Sequence, residues 1–338
     1  MPRGARLDAP GVFHHVWARG IERRKLFLDD DDRENFLQRL TLACAKGAGF
    51  VYAWSLLDNH FHLAIRTGKL PLSTIMRKVM TGYVISFNRK RKRAGHLFQN
   101  RFGSTIVNDE EYFLRLVRYV HLNPLWAGIA KDLEALAQYQ WSGHCVLMGN
   151  SPREFQLTDD VLGRFAARAG PARRRLVEFM GAADARKDKK VFGGRGLVRS
   201  RGGSSELSRT KQKKNRQTYD QRVLGDGEFV ERVLKQTEKD EQALISGQKQ
   251  AEASFARLLK RASELSEIQI KELASGSRRK IVVKVRKAIC YLAIRRLGLS
   301  GARVARALGV SPHSARRSAE HGENALQELG LKPQDLLS

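Results

Sequence analysis

The sequence predicts an α+β fold: an antiparallel sheet with helices on one face, followed by an all-α C-terminal domain. Three observations carry this. Runs rich in β-branched and aromatic residues alternate with amphipathic helical segments between residues 11 and 126, in the order β-α-β-β-α-β-α. Residues 193–217 are rich in Gly, Ser and positive charge, as a linker is. Beyond them the chain reads as helical to its end.

Taken in order, GVFHHVWARG (11–20) is strand-like. Asp29–Asp32 precede RENFLQRLTLACAK, in which Phe36, Leu37, Leu40 and Ala43 recur at helical spacing. Four consecutive aspartates could suggest a metal site, but acids in a first helical turn are favoured by the helix dipole, and that reading is preferred. FVYAWSLL (50–57) and HFHLAIRT (60–67) read as strands joined by the two-residue turn Asp58-Asn59. Residues 72–90 read as a helix that ends in RKRKR (89–93), and HLFQNRFGSTIV (96–107) as a fourth strand. In NDEEYFLRLVRYVHLNP (108–124), Asn108 can cap a helix, Glu111 stands where a capping box wants it, and Pro124 is read as its stop. The domain reading is 1–150, a helical extension 151–192, a basic Gly/Ser-rich linker 193–224, and a helical domain 225–338.

The 338 residues are 42% hydrophobic, enough for a globular protein with a sizeable core. Lys and Arg total 62 against 35 acids, a net charge of +27 that favours a polyanionic partner, nucleic acid before an anionic membrane surface. No apolar run approaches the ~20 residues of a membrane span, and MPRGARLDAPG lacks the apolar core of a signal peptide. A cytoplasmic, nucleoid-associated protein without membrane contact is the expectation. Cys44, Cys145 and Cys290 show no CxxC spacing and read as reduced, buried thiols. GxxxxGK[ST] is absent, so no P-loop is expected.

Within the strand 60–67, His60 and His62 share one face while Phe61, Leu63 and Ile65 share the other. Two imidazoles so placed can bind one divalent ion, although paired surface histidines show the same pattern. Tyr119 and Asn123 lie four apart on the following helix and so project from one face. A helix laid over the histidine strand would add a hydroxyl nucleophile and an amide oxygen as third ligand. Tyr112 shares the helix face of Tyr119, but Leu116, one turn on, offers it no polar partner, so packing is its role. His14, His15 and His121 are spare candidates for substrate contact, read first as structural.

His60-Phe61-His62 and Tyr119-Val-His-Leu-Asn123-Pro124, with WARGIERRKLFLDDDDRENFL (17–37), YVISFNRKRKRAGHLFQNRFGS (83–104) and YQWSGH (139–144), resemble the REP-associated (repetitive extragenic palindrome) tyrosine transposases. These are IS200-like, single-tyrosine HUH endonucleases, named for His-hydrophobic-His. The resemblance covers residues 10–150 closely and the rest loosely. It implies the HUH nuclease fold, a ferredoxin/RRM-like antiparallel sheet with helices on one face. It also implies phosphodiester transesterification: Mg2+ or Mn2+ held by His60, His62 and Asn123, Tyr119 as nucleophile, and a 5′-phosphotyrosine intermediate. The implied substrate is single-stranded hairpin DNA, with DNA transposition or mobilisation of REP elements as the outcome and monomer and homodimer both compatible. The runs Arg89, Lys90, Arg91, Lys92, Arg93 and Lys211–Arg216, together with Arg101, suit phosphate contact, with Phe98 and Phe102 as candidate stacking partners, while solvated charge with core aromatics fits any single one of them equally well. A non-catalytic, sequence-specific DNA-binding regulator that keeps this fold is the alternative.

Residues 285–322 read as a helix-turn-helix. Ser300 and Ser311 can cap its helices, Gly309 supplies the turn, and Val304, Ala305, Leu308 and Ala315 face inward. This part resembles the duplex-binding domain of the bacterial chromosomal replication initiator. His313, Ser314, Arg316 and Arg317 are its candidates for contact with duplex DNA.

Overall fold

Strands β1 (Phe13–Arg19), β2 (Gly49–Leu57), β3 (His60–Thr67), β4 (Gly103–Val107) and β5 (Val223–Leu224) form one sheet in the order β2-β3-β1-β4-β5. The first four pair antiparallel and the two-residue β5 adds parallel to β4. The computed structural model describes residues 7, 10–193, 220 and 222–337. The chain divides into two units, Met1–Glu238 and Lys239–Ser338.

In the first unit both faces of the sheet are covered, which corrects the expectation of helices on one face. Val16, Leu56, Phe61, Leu63 and Ile65 pack beneath α1 (Asp30–Cys44) and α2 (Leu72–Lys90), against Phe36, Leu40, Met76 and Tyr83. Phe13, Ala53, Ala64 and Val107 pack on the other side against Leu116 and Val120 of α3 (Asp109–Trp126). The reason lies in β2, where every residue but Phe50 is buried. A strand apolar at both parities needs cover on two sides. The β2–β3 hairpin closes with Leu57 opposite His60 around Asp58-Asn59, as the turn residues predict.

The caps follow the sequence. Asp29 Oδ1 accepts the Asp32 N–H at 2.9 Å, and the remaining aspartates occupy the first turn of α1. Asn108 caps α3 by accepting the Glu110 N–H at 3.3 Å. Pro124 does not stop α3, which continues to Trp126. So close to the helix end the ring removes a single ladder bond, and the Ala127 N–H still reaches the Asn123 carbonyl at 2.9 Å. β4 is shorter than the predicted 96–107, because Phe98 makes only an isolated bridge with Gly20. It starts at Gly103, where a Cβ would lie 2.4 Å from Trp17 Cε2.

The helices α4 (Leu133–Gln138), α5 (Gly143–Met148), α6 (Thr158–Leu162), α7 (Ala169–Gly181) and α8 (Ala185–Gly193) complete the first unit, and Leu176, Met180 and Phe192 join the core beneath α3. Of the segment read as a linker, residues 194–219 and 221 lie outside the described residues, while Val223–Leu224 form β5. The run Lys211–Arg216 lies in that undescribed part.

Helix α9 (Gly227–Ser266) crosses the boundary between the units. The second unit adds α10 (Ile270–Leu273), α11 (Lys280–Tyr291) with its π-helical continuation Leu292–Arg296, α12 (Gly301–Ala307), α13 (Pro312–Glu320), α14 (Gly322–Glu328) and α15 (Pro333–Leu337). Its core contains Leu258, Val285, Ile289, Val304, Ala305, Leu308 and Ala315. Ser300 caps α12 and Ser311 caps α13, each accepting an N–H at 3.1 Å, from Arg303 and Ser314. Gly309, between them, has φ +62° and no room for a Cβ, which would sit 2.0 Å from the Ala274 carbonyl oxygen. All three cysteines are free and buried. Among the described residues no helix is long and apolar enough to cross a membrane.

The first unit carries an acid-sensitive histidine. Burial lowers the pKa of His144, which is 1% exposed, to about 4. An unfolded histidine takes up its proton near pH ~6.5. Between those values the unfolded chain binds more protons, so this contribution is fully present above ~6.5 and is lost as pH falls towards 4. Across that window His144→Leu is expected to show a shallower fall of the thermal midpoint than the parent. The full contribution is about 3 kcal/mol by pH 4. Parallel slopes for the two proteins in scanning calorimetry would contradict this.

Candidate active site

The alternation of β3 turns His60 and His62 towards α3, while Phe61 and Leu63 enter the opposite core. On β1, Phe13, His15, Trp17 and Arg19 share the parity that faces α3, and Arg19 stands directly opposite His60. α3 lays Tyr119 and Asn123 over these strands. The ring centroids of Tyr119 and His62 are 5.6 Å apart at 88°, and those of Tyr119 and His15 are 5.2 Å apart at 79°. α8 closes the remaining side with Lys189, Phe192 and Gly193. The result is a cleft of about 370 Å³ that contains all four predicted residues, His60, His62, Tyr119 and Asn123.

Electrostatics suits the histidines to a ligand role. Burial, then the Arg19 guanidinium, lowers the pKa of His60 to about 4. His62 is held well below its usual value by burial first, then by repulsion from His15, His60 and Arg19. Both are therefore neutral near pH 7, the form in which imidazole donates a lone pair. Their ring centroids lie 5.2 Å apart, close to the roughly 5 Å expected when two imidazoles share an ion at bonds of about 2.1 Å. Asn123 Nδ2 donates to the Tyr119 carbonyl at 2.7 Å, which commits the amide nitrogen and leaves the oxygen to serve a cation. Among the described residues no group of three or more His, Cys, Asp or Glu side chains could hold a metal ion. A divalent ion here would therefore use Asn123 as its third protein ligand, a donor set of two imidazoles and one amide oxygen that fits such an ion.

Other predicted residues lie elsewhere. Arg89–Arg93 stand at the end of α2 and in the turn beyond it, and neither they nor Arg101 lines the cleft. Lys90 reaches Asp29 and Asp31 at 3.0 Å, and Arg91 pairs with Asp32 at 2.6 Å and stacks over Phe87. Arg93 donates to the His96 carbonyl. Arg89, Lys92 and Arg101 are exposed. Phe102 is 6% exposed and sits in the core beneath α1 and α2, with Phe98 packed against it, so Phe102 is buried away from any stacking base. His14 and His121 are fully buried and outside the cleft, as their structural reading requires. In the second unit, His313, Ser314, Arg316 and Arg317 are all exposed on α13, whose Ala315 and Ala319 face the core.

Sequence reasoning missed Arg19, Lys189, Phe192 and Trp126, and gave His15 only as a spare candidate. His15, read first as structural, lies against both His62 and Tyr119. Its parity with Trp17 and Arg19 was visible, but the pairing of β1 with β3 was not. Lys189 and Phe192 come from a segment read only as an extension, and Trp126 from beyond the assigned helix end.

Residues 11–123 match the family model described as "Transposase IS200 like". A solved structure titled "Structure of the REP associates tyrosine transposase bound to a REP hairpin" is similar at 18% identity over 45% of this chain and 89% of that chain, with a TM-score of 0.37. No curated protein matches the chain.

One buried ion-pair network holds α3 to α8. Arg118 and Asp188, each 1% exposed at the side chain, meet at 2.7 Å. Arg115 reaches the other Asp188 oxygen at 2.9 Å, and Arg118 also reaches Asp184 and stacks 4.1 Å over Phe179. These residues adjoin Tyr119 on one helix and Lys189 on the other, so the network sets how the two walls of the cleft meet. Asp188→Ala would leave the buried Arg118 guanidinium with the exposed Asp184 as its remaining carboxylate. It is expected to cost about 3–5 kcal/mol in denaturant unfolding, whereas the apolar pair Arg118→Met with Asp188→Leu recovers most of that loss. A single variant as stable as the parent would show that the network carries no such load.

Proposed function

We propose that the first unit cleaves and rejoins single-stranded DNA by transesterification through Tyr119, as a DNA transposase does. The observation that carries this is the convergence of His60, His62, Tyr119 and Asn123 on one cleft, within a span that matches the IS200-like transposase family model up to Asn123. His60, His62 and Asn123 would hold Mg2+ or Mn2+. Such an ion, when bound, supplies Lewis-acid stabilisation of charge on the scissile phosphate and the leaving oxygen. The chain's own residues do the rest. The Tyr119 hydroxyl, deprotonated on the way, forms the new P–O bond as the bond to the 3′ oxygen breaks. The 3′ oxygen leaves to take up a proton, and the 5′ phosphate stays on tyrosine. Attack by a DNA 3′-OH reverses the step, so the bond energy is conserved and no nucleotide cofactor is needed. Arg19 and Lys189 bring two cations to the rim, where substrate phosphates pass.

Tyr119→Phe is expected to abolish a covalent adduct with a labelled single-stranded hairpin oligonucleotide in Mg2+ or Mn2+, whereas Tyr112→Phe retains it. Tyr112, 1% exposed, packs in the core beneath α3. An adduct that survives Tyr119→Phe overturns the nucleophile. Hairpin binding without any cleavage would favour the non-catalytic regulator.

We further propose that α12, the turn at Gly309 and α13 act as a helix-turn-helix that binds duplex DNA through His313, Ser314, Arg316 and Arg317. A cleft of about 480 Å³ beside α13 adds Lys284 and Lys287 to Ser314 and Arg317. Replacing both Arg316 and Arg317 by Ala is expected to reduce the salt dependence of duplex affinity by nearly two logarithmic units per decade of salt, at about 0.9 per phosphate contact. An unchanged slope in fluorescence anisotropy would remove them from the interface.

A further inference from the structure

Two hydrogen bonds behind the histidine pair take no part in the steps above. His60 Nδ1 lies 2.6 Å from Asn59 Oδ1, and His62 Nδ1 lies 3.0 Å from His15 Nε2. The first has a defined direction. Asn59 Nδ2 donates to the Arg23 carbonyl at 3.2 Å, which sets the amide and leaves Oδ1 as an acceptor. His60 then carries its proton on Nδ1, and a neutral imidazole protonated there keeps its lone pair on Nε2.

The second bond offers the same service to His62. His15 is its diagonal neighbour across the β1–β3 pairing, where His15 faces Ala64 and Trp17 faces His62. The two rings stack with centroids 5.2 Å apart at 17°, and both residues are buried. One proton lies between the facing nitrogens. Donated by His15, it leaves His62 protonated on Nε2; donated by His62, it frees Nε2 of His62. Only the second state presents the same nitrogen on both histidines. The His15 ring also meets the Tyr119 ring edge-on, so one side chain touches both a ligand and the nucleophile.

We propose that His15 and Asn59 are positioning residues: as hydrogen-bond acceptors they hold His62 and His60 as Nδ1–H tautomers, so that both Nε2 atoms face one divalent cation. This rests on reading His60 and His62 as metal ligands. Partners of this kind orient a ligand ring and raise its basicity, and their loss weakens metal affinity about 10–100-fold.

The test is Mn2+ binding by the full-length protein, followed by the loss of the free Mn2+ electron paramagnetic resonance signal. His15→Leu and Asn59→Ala are each expected to weaken binding by about 10–100-fold. His15→Gln and Asn59→Asp, which keep an oxygen acceptor at the same reach, are expected to recover most of it. In metal-free protein, 15N imidazole shifts are expected to show Nδ1–H tautomers at His60 and His62. If His60→Ala and His62→Ala leave Mn2+ binding unchanged, the ligand reading itself fails. If those variants abolish binding while His15→Leu and Asn59→Ala stay within about twofold of the parent, the ligand reading stands and the positioning role is overturned. An Nε2–H tautomer at His62 in the parent overturns the role of His15. Gln and Asp variants no better than Leu and Ala would point to packing alone.

Discussion

Side chains of β3 leave the backbone alternately to either side, and in this sheet both sides are covered. Phe61, Leu63 and Ile65 are fully buried beneath α1 and α2, so a one-residue slip of β3 would remove them from that core and drive His60 and His62 into it. That constraint sends His60 and His62 to the face of α3. Every other feature of the cleft is arranged around this choice. Arg19 stands opposite His60 in the ladder, Asn59 ends the hairpin turn beside it, and α3 crosses where Tyr119 and Asn123 meet the rings. The apolar half of the strand thus positions the polar half, and a defect in the α1–α2 core would be felt at the histidines.

The second organising element is ionic. A buried guanidinium is tolerated only when its charge and its donors are answered, and Arg118 has both answered by Asp188, Asp184, the Phe179 carbonyl and the Phe179 ring. The network adds little net stability over an apolar packing of similar shape. Its value is directional, because the Asp188 carboxylate bridges Arg115 and Arg118, one oxygen to each, which fixes the rotation of α8 against α3 and so the place of Lys189 and Phe192 in the cleft.

Charge on this chain sorts into two uses. Part of the basic excess is spent on structure: Lys90 and Arg91 neutralise the first turn of α1, where Asp29 and Asp32 also serve as cap and acceptor. Arg303 likewise pairs with Glu252 and lies over Phe255. The arginines of α13 differ, since Arg316 and Arg317 remain exposed on the side away from Ala315 and Ala319. A run of cations in sequence is thus a poor guide to a nucleic-acid surface until its acidic neighbours in space are known.

Much of this was legible in the residues. Period-two alternation exposed the shared face of His60 and His62, the four-residue spacing exposed that of Tyr119 and Asn123, and Asp29, Asn108, Ser300 and Ser311 marked four helix starts. These are local properties, determined by bonds and contacts within a few residues. The sequence by itself did not show that β1 lies beside β3, that helices cover both faces, that Val223–Leu224 return to the sheet, or that α8 walls the cleft. Nor did it show that Phe102 is buried in the α1–α2 core or that Lys90 and Arg91 pair with the aspartates at the start of α1. Those outcomes depend on pairings between residues far apart in the chain, such as His15 with His62 and Arg118 with Asp188. Local periodicity decides which face a side chain takes, whereas only the tertiary packing decides what that face meets.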